Sequence, residues 1–480
     1  MPQSASRQIA IGDGHILHTL RIAALVSAGA FLVGYNAGVI PTIVGEQRWN
    51  SLMKPADNWA TADIFSVYNL GALVGSLCTG QLADVYGREM VLVLSSLVCV
   101  VGTVIQLSSF TIPQWIVGHI VLGWGIGALG AGIPIYISEI APRTHRCRLT
   151  AIEQLAYYAG FLSGFWLGYC CRFISTPHWW RLALALELVP ALILGLGCFY
   201  WAPPSPRWLV AQGRNNQARQ VLRRLHGADL AELELEQMQE TIRAEKHINL
   251  PWAAFWKSPI LKLTALACGV RSFQQVTGSQ SVMFYTPSLF EKAGLPTPHA
   301  YLFGTIGILG VIFHSAWIPM RWFDRLGRKT WLQVGTIGMG ISLSMSSVLQ
   351  LKMEQHPDWH GRYMLILFPF LFYIFHNLGW TIAGSTYASE IFPMPLRARG
   401  IALTTALGWA LKYFVAVSPS LGDAIGWGLY LVYAMISVLA FVFVRFTLVE
   451  TKDKQLEEMS ELFGLADYFS AMGGRWRGGT

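Results

Sequence analysis

The sequence predicts an all-α membrane protein with twelve transmembrane helices in two six-helix halves and a cytoplasmic helical segment between them. Three observations carry this. Of 480 residues, 53% are hydrophobic and only 13% charged, where soluble domains hold about 25% charged residues, so polar side chains are too few to cover a water-soluble globule. The apolar residues fall into long stretches, and a bilayer core of about 30 Å takes about 20 of them per helix. Short motifs recur at matching places in the two halves of the chain.

The spans fall near 20–43, 62–83, 91–110, 113–137, 151–172 and 182–202, and after a polar break near 263–289, 300–323, 331–351, 363–388, 400–420 and 425–447. This divides the chain into an N-terminus (1–19), a first half (20–202), a linker (203–261), a second half (262–447) and a tail (448–480). Gly71, Gly75, Pro134, Gln154, Pro190 and Gln274 interrupt the apolar runs, as is tolerated where a span packs on neighbours or lines an aqueous cavity. In the linker, "NNQARQVLRRLHG" and "DLAELELEQMQETIRAEKH" space apolar residues at the helical period with charges between them, which predicts short amphipathic helices.

The formal charge of +8 does not point to nucleic acid, because the Lys and Arg sit in short bursts between spans, as in cytoplasmic loops. Arg88, Arg143, Arg146, Arg148, Arg321, Arg325, Arg328, Lys329, Arg397 and Arg399 all fall on one side, together with the arginines of the linker. That side, with both termini, is expected to be cytoplasmic, and the bilayer to be the plasma membrane. The cysteines show no zinc or disulfide spacing. No metal site, nucleotide loop or Ser/His/Asp set is visible, so neither an enzyme nor a cofactor is expected, and the expected assembly is a monomer.

"DVYGRE" at 84–89 recurs as "DRLGRK" at 324–329, and "SEIAP" at 138–142 as "SEIFP" at 389–393. Glu139 precedes Arg146 by seven residues, and Glu390 precedes Arg397 by seven. Repeated halves are the usual construction of secondary transporters. Gly permits a tight turn between helices. Asp84, Arg88, Glu139 and Arg146, with Asp324, Arg328, Glu390 and Arg397, can close charged latches of about 1 kcal/mol each at the cytoplasmic face. A latch of that size can be remade in every cycle.

These residues resemble the sugar porters of the major facilitator superfamily, from about 31 to 462, with loops in the style of fungal members. "FLVGYNAGVI", "GQLADVYGRE", "GWGIGALGAGIPIYISEIAP", "PPSPRWLV", "QQVTGSQSVMFYT", "YASEIFPMPLRARG", "IGWGLYLVYA" and "VETKDKQLEE" carry the likeness. The resemblance implies a solute site at the midplane. It assigns binding to Gln154, Gln274, Gln275 and Gln280, the last where Asn is usual, and to Trp409. A carboxamide both donates and accepts, so it matches a sugar hydroxyl without placing charge in the membrane.

Several positions depart from the family pattern. Ser385 stands where a Trp is usual, Ile312, Gly408 and Lys412 where Asn is usual, and Pro204 where Glu is usual. Arg271 precedes Gln274 and Gln275 by three and four residues and so shares their helix face. Arg271 and Lys412 make the cavity positive unless Arg271 pairs with a carboxylate such as Glu187. Proton-linked members resemble one another in an Asp, an Arg and a Glu whose places are taken here by Asn36, His119 and Glu187. Asn36 cannot titrate, which favours facilitated diffusion, whereas an imidazole beside Glu187 could couple protons. The expected function is alternating-access transport of a sugar, polyol or similar small solute. The alternative is a carrier for an organic acid such as quinate or for a secondary metabolite, with proton coupling.

Overall fold

Gly34 and Gly38 of the first helix stand directly against the backbone of the fifth: a Cβ on Gly34 would lie 1.9 Å from the Tyr157 carbonyl oxygen. Gly71 and Gly75 of the second helix meet Ile120 and Trp124 of the fourth in the same way. Lipid gives apolar helices no hydrophobic reason to associate, so close backbone packing over small residues holds them together. In the computed structural model these contacts assemble the first half from α1 (Asp13–Val44), α2 (Tyr68–Tyr86), α3 (Arg88–Leu107), α4 (Ile112–Ile140), α5 (Arg146–Cys171) and α6 (Trp179–Trp201). The structure describes residues 13–44, 46–53, 64, 66–141, 146–245, 252–296, 304, 307–315, 326–356, 360–392, 396–417, 425–451 and 462–465.

The linker folds as α7 (Pro206–Ala211), α8 (Asn215–His226) and α9 (Ala228–Glu245). Their apolar faces share a small core of Leu209, Val210, Ala218, Leu222, Ala231 and Leu235, as the amphipathic pattern predicts. The bundle is tied to the first half. His226 pairs with the Ile140 carbonyl at 3.0 Å and with Glu234 at 2.6 Å, and Tyr136 Oη donates to the Pro203 carbonyl at 2.7 Å.

The second half comprises α10 (Ile260–Val276), α11 (Ser279–Lys292), α12 (Ile308–Ser315), α13 (Arg328–Gln355), α14 (Leu367–His376), α15 (Ser385–Glu390), α16 (Arg397–Val417) and α17 (Gly428–Thr447). The span expected to be continuous over 263–289 is broken at Thr277–Gly278. Gly278 has φ +91°, and a Cβ there would strike the Tyr433 ring at 2.6 Å, so the left-handed turn and the close ring both require glycine. Between α14 and α15 the chain runs through π-helical turns over Asn377–Gly384, a geometry frequent at functional sites. Of the span expected at 300–323, most lies outside the described residues.

Seven of the described helical stretches are long and apolar enough to cross a bilayer. Each half has its own core, and each places aromatic side chains in the other. Trp409 of α16 packs in the first-half core, and Tyr158 of α5 packs in the second-half core.

Candidate solute site and gate

On α10, Arg271 Nη1 donates to Gln274 Oε1 at 2.9 Å and to Ser385 Oγ at 3.3 Å. Gln274 Nε2 in turn donates to the Trp380 carbonyl at 3.0 Å and to Ser385 Oγ at 3.4 Å. Gln274 and Ser385, both expected at the solute, are therefore engaged inside their own half. Gln275, Gln154 of α5 and Gln280 of α11 are only half-buried. Among the described residues nothing hydrogen-bonds their carboxamides, which leaves both donors and acceptors available.

The carboxylate that faces Arg271 is Glu153, not Glu187. Glu153 lies on α5, 7% exposed, with Oε2 unpartnered, and acts electrostatically on the guanidinium across the interface between the halves without forming a direct ion pair. Lys412 of α16 also faces Arg271, and its Nζ lies 4.6 Å from the centre of the Trp409 ring, a cation–π distance. Trp409 meets Tyr68 of α2 edge-on at 5.9 Å and lies over Gly130 of α4. The indole is thus sandwiched where the halves meet. Sequence reasoning passed over Glu153 in favour of its neighbour Gln154, although an acidic residue within an apolar span is itself a signal of function.

Asn36 and Glu187 come together. The carboxamide stands opposite the carboxyl, but neither makes a hydrogen bond of good geometry, and both residues are almost fully buried. His119 is fully buried in a different setting. Gln106 Nε2 and His119 Nδ1 are 3.0 Å apart, and the imidazole lies 4.6 Å from the Trp115 ring and 5.3 Å from Tyr68.

At the linker end of the first half, Arg88 Nε meets Glu139 Oε2 at 3.0 Å and Arg88 Nη2 meets Asp84 at 3.4 Å. Ser205 Oγ, just before α7, donates to the same Glu139 carboxylate, and Trp208 Nε1 donates to the Asp84 carbonyl at 3.0 Å. Asp84 also faces Arg399 of α16, in the other half. The turn that sets Arg88 in place is Gly87, φ +96°, and its repeat Gly327 has φ +81°. Beside Gly327, Glu450 accepts the backbone N–H of Arg328 at 2.9 Å and of Lys329 at 3.0 Å. Arg328 is buried, and Arg397 Nη2 donates to the Phe392 carbonyl at 3.3 Å. Asp324 and the side chains of Arg146 and Glu390 lie outside the described residues.

Residues 22–463 match the family model described as "Sugar (and other) transporter". The chain is 32% identical to the "Probable metabolite transport protein CsbC" of Bacillus subtilis, over 90% of this chain and 91% of the relative. It is 31% identical to the "Glucose transporter GlcP" of Staphylococcus epidermidis, over 91% of this chain and 95% of the relative. A solved structure of the proton:xylose symporter XylE of E. coli shares the fold, with a TM-score of 0.82 and 24% identity over 94% of this chain and 99% of that one.

Proposed function

The chain belongs to the sugar transporter family, and on that premise we propose that it carries a small polyhydroxylated solute across a membrane by alternating access. The solute binds between the halves, on the carboxamides of Gln154, Gln275 and Gln280 and over the indole of Trp409. Gln274 and Ser385 hold Arg271 at the edge of this site. The observation that carries the reading is the set of half-buried carboxamides that no group among the described residues engages. In a membrane interior such groups seek partners, and a solute rich in hydroxyls supplies them.

Transport is facilitated diffusion, because Asn36 stands where a proton-coupled carrier needs a titratable acid. The latch of Asp84, Arg88 and Glu139, facing Arg399, closes the cytoplasmic end, with the linker helices and both termini on that side of the plasma membrane. Asp324, Arg328, Arg146, Glu390 and Arg397 serve the same gate, and the protein works as a monomer. Uptake of hexoses and polyols into proteoliposomes tests this. Saturable uptake that an imposed pH gradient leaves unchanged supports facilitated diffusion, and accumulation driven by the gradient contradicts it.

A further inference from the structure

Two cations and one carboxylate converge between the halves: Arg271 from α10, Lys412 from α16 and Glu153 from α5. Glu153 and Lys412 each lie within electrostatic reach of Arg271, with no direct ion pair between Glu153 and the guanidinium. No carboxylate among the described residues faces Lys412, whose described partner is the Trp409 ring. Several groups remain open. Arg271 spends Nη1 on Gln274 and Ser385 but leaves Nε without a partner. Glu153 Oε2 and Trp409 Nε1 are likewise unpartnered in side chains that are more than nine-tenths buried. Charge inside a membrane protein is costly unless it is compensated. Glu153 offsets one of the two cations, and the other has no described counter-ion.

We propose that the cargo is a polyhydroxylated solute bearing a single carboxylate, a sugar acid rather than a neutral sugar; this rests on the sugar-type transport proposed above. The carboxylate lies between the Arg271 guanidinium, which offers Nε, and the Lys412 ammonium. The hydroxyls reach the carboxamides of Gln154 and Gln275. Glu153 counts charge. It accepts a hydroxyl hydrogen bond and repels a second carboxylate, so it determines specificity. A neutral sugar leaves Lys412 uncompensated, and a dianion meets Glu153. Discrimination of this kind comes from the repulsive group as much as from the attractive ones.

Two matched pairs of solutes test the inference in counterflow with proteoliposomes. Glucose and glucuronate share a ring and differ by one carboxylate. Gluconate and glucarate share an open chain and differ by a second. The wild-type carrier is expected to favour glucuronate over glucose, and gluconate over glucarate, each by about tenfold or more in half-saturation. Lys412→Gln should erase the advantage of glucuronate, and Glu153→Gln should admit glucarate. If either variant fails to fold, Lys412→Met or Glu153→Ala takes its place, with ligand-induced shifts in thermal unfolding as a second readout. Equal or better use of glucose by the wild type, or continued exclusion of glucarate by a folded Glu153 variant, overturns the inference and leaves sugar-type transport standing. Counterflow of none of the four also overturns the inference, and the wider panel of hexoses and polyols then tests sugar-type transport on its own.

Discussion

Tyr158 Oη donates a 2.8 Å hydrogen bond to Asn377 Oδ1, joining α5 of one half to the π-helical turns of the other. The same carboxamide gives its Nδ2 to the Ile312 carbonyl at 2.9 Å and to Ser315 Oγ at 2.8 Å. The Nδ2 bonds stay within the second half, so the amide oxygen alone depends on the contact between the halves. A bond of this kind between halves that rock against each other belongs to one state of the cycle and must break in another.

Tyr158→Phe removes the hydroxyl and leaves Asn377 Oδ1 unsatisfied in the present state. An orphaned buried acceptor costs about 1–3 kcal/mol, which is a 5- to 150-fold shift in a two-state equilibrium. The variant is expected to populate states in which this contact has opened, with a changed maximal rate and a smaller change in half-saturation. Labelling rates of single cysteines at the two ends of the cavity measure it.

Gln154→Ala and Gln275→Ala should weaken solute binding while the protein still folds. Each loses one or two hydrogen bonds to the solute, again about 1–3 kcal/mol. Gln274→Ala should behave differently. It releases Arg271 and Ser385 and so disturbs the second half as well as the site. Thermal unfolding beside transport kinetics separates the two effects: unchanged stability with weaker binding for Gln154 and Gln275, and lowered stability for Gln274.

Glu139→Gln should open the linker end. The carboxylate takes both Arg88 Nε and Ser205 Oγ, so neutralising it weakens the latch and the seat of α7 together. Charge-assisted hydrogen bonds contribute about 1.5–3 kcal/mol each. Labelling of cavity cysteines from the linker side should accelerate by tenfold or more, by the ~1.4 kcal/mol per decade rule. Glu139→Asp should restore part of the closure.

The duplicated motifs made the fold legible, because residue spacing along the chain decides helices and turns. Gly87 and Gly327 both take the positive φ that their shared motif implies, and the linker helices bury the face their periodicity marks. The site was half legible. Gln154 and Gln275 are half-buried and Trp409 packs between the halves, but the pairings between helices did not follow from spacing. Arg271 feels the charge of Glu153, His119 meets Gln106, and Glu450 serves the turn at Gly327 through backbone N–H groups. Such partners are chosen by tertiary packing of residues distant in sequence. The break at Gly278 had a local cue in "TGS" that the surrounding apolar run concealed.

Gly75→Val should prevent proper assembly of the first half. A Cβ there would lie 1.9 Å from the Trp124 carbonyl oxygen, and backbone cannot yield as a flexible side chain can. Gly408→Ala is the control, because a Cβ there meets nothing within 4 Å. Size-exclusion profiles in detergent should show loss of monodisperse protein for the first substitution only.

Carboxamides that no described group engages, those of Gln154, Gln275 and Gln280, are proposed to bind a polyhydroxylated solute between the halves. Counterflow of radiolabelled hexoses, polyols and sugar acids into proteoliposomes, comparing wild type with Gln275→Ala, tests it most directly. Saturable counterflow of at least one of these solutes is expected, with half-saturation raised at least fivefold in the variant, the lower end of a ~1–3 kcal/mol loss. Counterflow with the same half-saturation in folded Gln275→Ala, or none above protein-free liposomes, would contradict it.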